Sequence, residues 1–257
     1  MNKISLRVIT CNVNGLRAAN KKGFIAWMLK QKADVVCLQE TKLQTHQVDP
    51  SLRPDGYYAY FFDAHKKGYS GVAIYTRIKP QRIHTGLGWP IADEEGRYLQ
   101  VDFQDLSIAS LYLPSGSSSQ QRQDIKYAFL DRYYPVLEKQ KDSRLIICGD
   151  WNIAHKPIDL ENWRANQIHS GFLPEERAWL DRVLTQLAYV DGFRVVNQKA
   201  EEYTWWSYRG RAWQNNTGWR IDYQIVTPIC QSTIRSARIY KDERFSDHAP
   251  LIMDYEF

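Results

Sequence analysis

Leu145-Ile146-Ile147-Cys148-Gly149-Asp150-Trp151-Asn152 is an uninterrupted apolar run that ends in a glycine, an acid, a tryptophan and an amide. An apolar run this short, bounded by a turn signal, reads as a buried strand, and the polar residues after it lie at the strand's end. The same arrangement recurs elsewhere in the chain. Ile4 to Thr10 is a β-like run ending in Cys11-Asn12-Val13-Asn14-Gly15, and Asp34 to Leu38 is a short buried strand that delivers Glu40 in Leu38-Gln39-Glu40-Thr41. Gly218-Trp219-Arg220-Ile221-Asp222-Tyr223 and Ser246-Asp247-His248-Ala249-Pro250 place further carboxylates and an imidazole on short apolar runs near the C-terminus. Polar clusters at strand ends that are far apart in sequence imply one site assembled from distant pieces of chain.

Working outward, Tyr57 to Phe62, Val72 to Thr76, Tyr98 to Phe103 and Leu106 to Tyr112 read as further strands, with a turn-rich stretch from Gly86 to Gly96. Phe24, Trp27 and Met28 share one face of a helix over Phe24 to Lys30. Ser117 to Ser119 read as a loop and helix cap, opening a helix from about Gln120 to Glu138. A long loop runs from Ile153 to Gly171 before a helix that opens Pro174-Glu175-Glu176; loops this long inside a compact domain are usually functional. The C-terminal third is β-rich, with strands expected at Tyr203 to Ser207, Ile221 to Val226, Ile234 to Ile239 and Leu251 to Tyr255. There is no interdomain linker and no short-period repeat. Strands interleave with helices throughout, so residues 1–257 are expected to form a single layered α/β domain.

At 257 residues the chain can bury a substantial core. A net charge of +5 is a mild basic bias, compatible with a polyanionic partner and too weak to identify one. Cys11, Cys37, Cys148 and Cys230 are far apart with no CxxC pair, which speaks against a zinc ribbon or disulfide framework and fits reduced thiols in a cytosolic protein. The N-terminal apolar run is broken by Arg7, unlike a signal peptide, and no stretch approaches the length of a membrane span. The expectation is a cytoplasmic protein with no membrane partner.

Glu40, Asp150, Asp222 and Asp247 each follow or sit on an apolar strand. Hard divalent cations such as Mg²⁺ take oxygen ligands, often one or two carboxylates plus water and substrate phosphate, so a few scattered acids suffice. Any one of these acids alone reads as a solvated strand end; together, beside Asn, Gln, His or Trp, they read as a site. Asn12, Asn14 and Asn152 supply neutral amides, which bind phosphate oxygen or orient water without repelling an anion. Asn152, two residues after Asp150, shares its face if the segment is extended. His248 needs a partner to fix its tautomer and charge, and Asp222 is the candidate; so paired, the imidazole stays protonated and stabilises negative charge developing on a phosphoryl group. Trp205-Trp206-Ser207-Tyr208 and the stretch from Trp213 to Trp219 interleave aromatics with Arg209, Arg211 and Arg220, a pattern suited to stacking on bases or sugars. Arg17, Lys21 and Lys22 form a basic loop beside the Asn12–Asn14 strand end.

At these residues the sequence resembles the exonuclease III and AP endonuclease family of the DNase I-like metal-dependent phosphodiesterases. The match runs through the motifs above and through Gly68-Tyr69-Ser70-Gly71-Val72, Glu95-Gly96-Arg97, Tyr112-Leu113-Pro114 and Phe172-Leu173-Pro174-Glu175-Glu176, all in family order. The resemblance implies a four-layer α/β sandwich, two packed mixed β-sheets flanked by helices. It implies Glu40 as the main Mg²⁺ ligand, with Mn²⁺ able to substitute, and Asn14 and Asp247 close to the metal. Asp150 would orient or deprotonate the attacking water, with Asn152 and Asn12 holding water and phosphate. His248 with Asp222 would stabilise the transition state, and Tyr112 would contact the scissile phosphate or the leaving oxygen. Arg17, Lys42, Tyr69, Arg97, Arg122, Asn166, His169, Trp205 and Trp219 would contact DNA, the two tryptophans lining the pocket for a base-less sugar.

Two departures matter. Ser115 stands where the family often has Asn or Gln, and His169 stands where an abasic-site endonuclease would carry Asn or a smaller polar residue. Either a bulky imidazole there obstructs a flipped-out abasic nucleotide, weakening internal abasic cleavage while leaving a terminal 3′ phosphate unaffected, or His169 is an exposed loop residue with no effect. The expected activity is therefore a Mg-dependent DNA repair nuclease acting as a monomer on double-stranded DNA with damaged or nicked 3′ ends: 3′-phosphatase, 3′-phosphodiesterase and 3′-5′ exonuclease. The alternatives are a full AP endonuclease, a same-fold phosphodiesterase acting on RNA or lipid, and a non-catalytic DNA-binding module.

Overall fold

The apolar strands named above pair into two sheets in the computed structural model, which describes residues 4–257. In the first sheet β1 (Ser5–Asn12) runs parallel to β2 (Val35–Gln39). The others are antiparallel: β3 (Tyr58–Phe62) and β4 (Val72–Thr76) extend it one way, β12 (Leu251–Glu256) and β11 (Ile234–Ile239) the other, in the order β11-β12-β1-β2-β4-β3. The second sheet has the order β5-β6-β7-β8-β10-β9, with β5 (Arg82–Thr85), β6 (Tyr98–Asp102), β7 (Ser107–Tyr112), β8 (Leu145–Asp150), β9 (Val190–Asp191) and β10 (Asp222–Val226). Only β7 and β8 are parallel there. Each parallel pair needs a crossover. Helices α1 (Leu16–Lys21) and α2 (Phe24–Gln31) supply the first, and α4 (Gln120–Gln140) supplies the second.

Strand periodicity explains the layering. On β8, Ile146 and Cys148 point into the core between the sheets, while Leu145 and Ile147 face outward under α4 and α6 (Pro174–Thr185). On β2, Val35 and Cys37 face the inter-sheet core, while Val36 and Leu38 pack against Phe24, Trp27 and Met28 of α2. Both faces of the central strands are covered, which is why they read as unbroken apolar runs. Each fully buried aliphatic or aromatic side chain in these layers contributes about 1.5–3 kcal/mol. The result is helix, sheet, sheet, helix, as the resemblance implied. All four cysteines are buried and unbridged.

Several local expectations change. Tyr203 to Ser207 is not a strand: Trp205 makes single bridges to Trp219 and to His248, so the segment is a tie between two site-bearing pieces of chain. The turn-rich stretch from Gly86 to Gly96 contains helix α3 (Pro90–Glu94), started by a proline at its first position. The loop from Ile153 to Gly171 contains helix α5 (Trp163–Asn166), and α7 (Gly192–Val196) follows β9. Asn152 does not continue an extended strand. Its φ of +50° turns the chain into the left-handed region directly after β8.

Candidate active site

Register brings the polar strand ends to one edge of the sandwich. Asn12 lies opposite Gln39 across the β1/β2 pair, which places Glu40 beside it. In the second sheet Asp150 is the register partner of both Tyr112 and Asp222. Gly149 makes this pairing possible, because a Cβ there would stand 1.9 Å from the carbonyl oxygen of Leu111. His248 is brought in by the Trp205 tie ahead of β12.

The side chains form one connected network. Asn12 donates from Nδ2 to Glu40 Oε1 at 2.8 Å and to Asp150 Oδ2 at 2.9 Å, so one amide fixes both carboxylates. The Tyr112 hydroxyl donates to the same Glu40 oxygen at 2.8 Å. The backbone N–H of Asn152 donates to Asp150 Oδ1 at 2.9 Å, while its Nδ2 donates to the Leu113 carbonyl. His248 Nδ1 lies 2.8 Å from Asp222 Oδ2, and its Nε2 lies 3.9 Å from Asp150 Oδ2. Asp247 points the other way, accepting from Asn14 Nδ2 at 2.9 Å and from the Trp205 indole at 3.2 Å. Asn14, Glu40, Lys42 and Asn152 all have φ between +45° and +51°. Such conformations cost non-glycine residues on the order of 1–3 kcal/mol each and cluster at functional sites.

Burial sets the charges. Asp150 is pushed up to about 7, first by burial and then by the Asp222 carboxylate, against His248 and the donors from Asn12 and Asn152. Burial alone would push His248 down, but Asp222, through charge and hydrogen bond, together with Asp150 raises it to about 10. For Glu40, burial works upward, but the Lys42 ammonium at 2.9 Å and the donors from Asn12 and Tyr112 bring it below the usual carboxylate range. Burial likewise works against Asp247, which His248 and its hydrogen bonds hold low. The Tyr112 phenol is pushed well up by burial and by Glu40.

The donor set fits a hard cation. A Glu40 oxygen and the Asn14 side-chain oxygen both converge on the Lys42 ammonium, and Asp247 joins them through Asn14. Ligand atoms of Asp150, Asp222 and His248 also lie within 4.8 Å of one another. An imidazole held protonated by Asp222 is a poor ligand, however, whereas the Glu40 carboxylate is held ionised and already gathers a cation, the Lys42 ammonium.

A cleft of about 1220 Å³ opens over this network. Trp205 and Trp219 line it with their rings edge to face at 6.3 Å, alongside Asn166, His169, Ser115 and Arg209. His169 and Ile168 are exposed on the turn after α5, whereas the Asn166 amide is engaged with the carbonyls of Glu161 and Asn162. Tyr69, Arg97 and Arg122 do not join the cleft. Glu95 gathers them around a smaller neighbouring depression that shares Tyr112 and Ser115 with it. Arg97 is only 1% exposed and donates to the Tyr112 carbonyl beneath that ring, so it braces Tyr112 and is not a free surface cation. Arg17 is exposed on α1, away from the cleft lining. Lys126, which no motif singles out, and Glu176, which the Phe172–Glu176 motif contains without a role, lie beneath the site, and Gln123 lines the cleft above them. A signal for them exists in the sequence: Lys126 falls on the apolar stripe of α4 with Phe129, Leu130, Tyr133 and Leu137, where a lysine must have a buried partner.

A profile of the endonuclease/exonuclease/phosphatase family matches residues 9–248. An exodeoxyribonuclease of Bacillus subtilis (strain 168) is 39% identical over 249 residues, covering 96% of this chain and 98% of that protein. A DNA-(apurinic or apyrimidinic site) endonuclease of Dictyostelium discoideum is 35% identical over 251 residues, covering 96% of this chain and 69% of that one. Among solved structures, an AP endonuclease from Archaeoglobus fulgidus superposes with a TM-score of 0.89 at 28% identity, covering 97% of this chain and 99% of that chain. The 3′ phosphatase NExo from Neisseria, solved with its product DNA hairpin, gives 0.89 at 26% identity, covering 98% and 100%.

Proposed function

The chain belongs to the endonuclease/exonuclease/phosphatase family, and we propose that within it this protein is a DNA repair nuclease that hydrolyses phosphoesters at DNA 3′ ends. Residues 1–257 would act as one catalytic domain, since both sheets contribute to the network. The observation that carries the reading is Asp150: a buried carboxylate raised to about 7, held by an amide on one side and a backbone N–H on the other, with a protonated imidazole 3.9 Å away. That is the arrangement of a base that prepares water and a cation that receives the charge it generates. Glu40, Asn14 and Asp247 would hold the divalent cation, Mg²⁺ with Mn²⁺ able to replace it. Bound there, the cation supplies charge neutralisation at the phosphoryl oxygens. Asp150 orients the water and takes its proton, while Asn12 and Asn152 fix the base. His248, kept charged by Asp222, offers Nε2 to the developing oxyanion, and Tyr112, braced by Arg97, presents its hydroxyl toward the same region. Trp205 and Trp219 bound the space for the terminal nucleotide. Lys42, Tyr69, Arg122 and Arg17 supply positive or polar surface for the strand.

The Archaeoglobus AP endonuclease and the Neisseria 3′ phosphatase superpose equally well, so the overall fold does not choose between internal and terminal cleavage. His169, exposed at the cleft's lip, favours the terminal substrate. The test uses two labelled duplexes with Mg²⁺, one with an internal abasic-site analogue and one with a 3′ phosphate at a nick. Preferential removal of the 3′ phosphate is expected, and excess EDTA should abolish it. Comparable rates on both would make the protein a general abasic endonuclease, and turnover persisting in chelator would overturn the metal assignment.

A further inference from the structure

Beneath the cleft, and reaching neither it nor solvent, Lys126 of α4 and Glu176 of α6 form an ion pair at 2.5 Å with both side chains fully buried. A lysine in such a place is unusual, because desolvation disfavours its charge; burial pushes Lys126 down, against the pull of Glu176. Apolar residues of similar volume often serve stability as well as a buried ion pair does, so stability alone is a weak reason for it. What it holds is more informative. The Lys126 ammonium also donates to the Asn152 carbonyl at 2.8 Å, on the left-handed turn that delivers Asn152. Glu176 accepts from the backbone N–H of Gly171 at 2.6 Å and of Leu173 at 3.1 Å, and from the side chains of Ser170 and Gln123. Gly171 and Ser170 directly follow His169. The same two segments are tied again where the Ala154 N–H meets the Gly171 carbonyl at 2.7 Å. Gly171 carries a φ of +96°, and a Cβ on it would meet Trp219 at 3.1 Å, so this point of the loop is tightly seated.

We infer that Lys126 and Glu176 are a positioning pair that locks the Asn152 turn to the loop bearing Asn166 and His169, so that the water-preparing end of the site and its substrate-facing lip move as one unit. Neither residue touches substrate. The pair sets where Asn152 lies beneath Asp150 and where His169 stands at the lip. Its consequence for substrate choice rests on the proposed 3′-end activity; the mechanical coupling does not.

The experiment therefore has two arms, on Lys126→Met and the near-isosteric Glu176→Gln. The first is hydrogen exchange followed by mass spectrometry, without DNA. Lys126→Met should speed exchange in the peptide over 166–173, and Glu176→Gln should speed it in the peptide over 150–154, each by about tenfold, with β1 unchanged. These are cross-effects: each substitution loosens the segment its own side chain does not contact. Loosening confined to the directly bonded segment would overturn the coupling. If Lys126→Met does not fold, Glu176→Gln alone still decides the matter. The second arm compares kcat and KM on the two duplexes. A fall in kcat with KM nearly unchanged on the 3′ phosphate, and a change of about tenfold in the ratio of internal to terminal cleavage, are expected. A pair that only stabilises the fold would leave both quantities as they are in folded enzyme. A wild-type protein inactive on both duplexes would defeat the proposed function, and hydrogen exchange would still decide whether the two segments are coupled.

Discussion

At the residue scale Asp222 charges one neighbour and perturbs another. Its carboxylate raises His248 to about 10 and helps burial raise Asp150 to about 7. Activity that needs Asp150 ionised and His248 protonated should rise with pH through the lower value and fall through the upper one, a bound cation drawing the acidic limb lower. Asp222→Asn removes negative charge from both, so both limbs should move to lower pH, the alkaline limb most. At pH 8 the variant should lose on the order of 10²- to 10⁴-fold in rate. A pH–rate profile decides this; an alkaline limb that stays in place would show that His248 does not act as a cation. The pairing of His248 with Asp222 was legible in the sequence because both stand on short apolar runs near the chain end and an imidazole needs a partner to fix its charge. The service of Asn12 as a clamp on Glu40 and Asp150 was not, since it depends on which amide hydrogen meets which carboxylate across two sheets.

At the element scale, apolar runs locate the long strands, apolar spacing locates α2, and the serine cap and the Pro-Glu-Glu opening locate α4 and α6, while short elements escape all three signals. Arg82-Ile83-His84-Thr85 is an exposed edge strand with one apolar side chain, and its pairing with β6 defines it. Tyr203 to Ser207 is aromatic and β-like in composition, yet its backbone donors go to Trp219 and Asp247, so it bridges and does not extend a sheet. The loop from Ile153 to Gly171 was visible as a long loop, but not its internal helix α5 or its anchoring by Glu176. This loop carries the specificity prediction. His169→Gly and His169→Asn should raise cleavage at an internal abasic site by about tenfold or more while changing 3′-phosphate removal little, because only the internal substrate must pass the lip. Parallel rate measurements on the two duplexes test it; unchanged internal cleavage in both variants would reduce His169 to an ordinary surface residue.

At the scale of the whole molecule, the edge that gathers these residues carries a stability cost, for which the proposed chemistry gives a reason. Asp150 has a folded-state pKa near 7, well above that of an unfolded aspartate, so the folded protein keeps a proton that the unfolded chain has released. Stability from this source falls as pH rises from about 4 to 7, and the cost is on the order of a few kcal/mol at pH 8. His248 runs the opposite way: its raised pKa contributes stability that is fully present below about 6.5 and is lost as pH climbs through about 10. Asp159, brought down to about 2 by Arg220 and Arg194 against its own burial, contributes above the ordinary aspartate pKa and loses that contribution as pH falls through 2. Asp150→Asn should therefore melt several degrees higher than wild type at pH 8 and nearly equal to it at about pH 4, measured in chelator so that no cation offsets the charge. His248 would lose part of its support, but Asp222 acts on it more strongly than Asp150 does, so the net effect should remain stabilising. Phosphoester hydrolysis should be abolished in the same variant. A lower melting temperature than wild type at pH 8 would mean that the hydrogen bonds from Asn12 and Asn152 outweigh the burial of the charge. A higher one would show that the fold tolerates a destabilising carboxylate at this edge because the reaction requires it there.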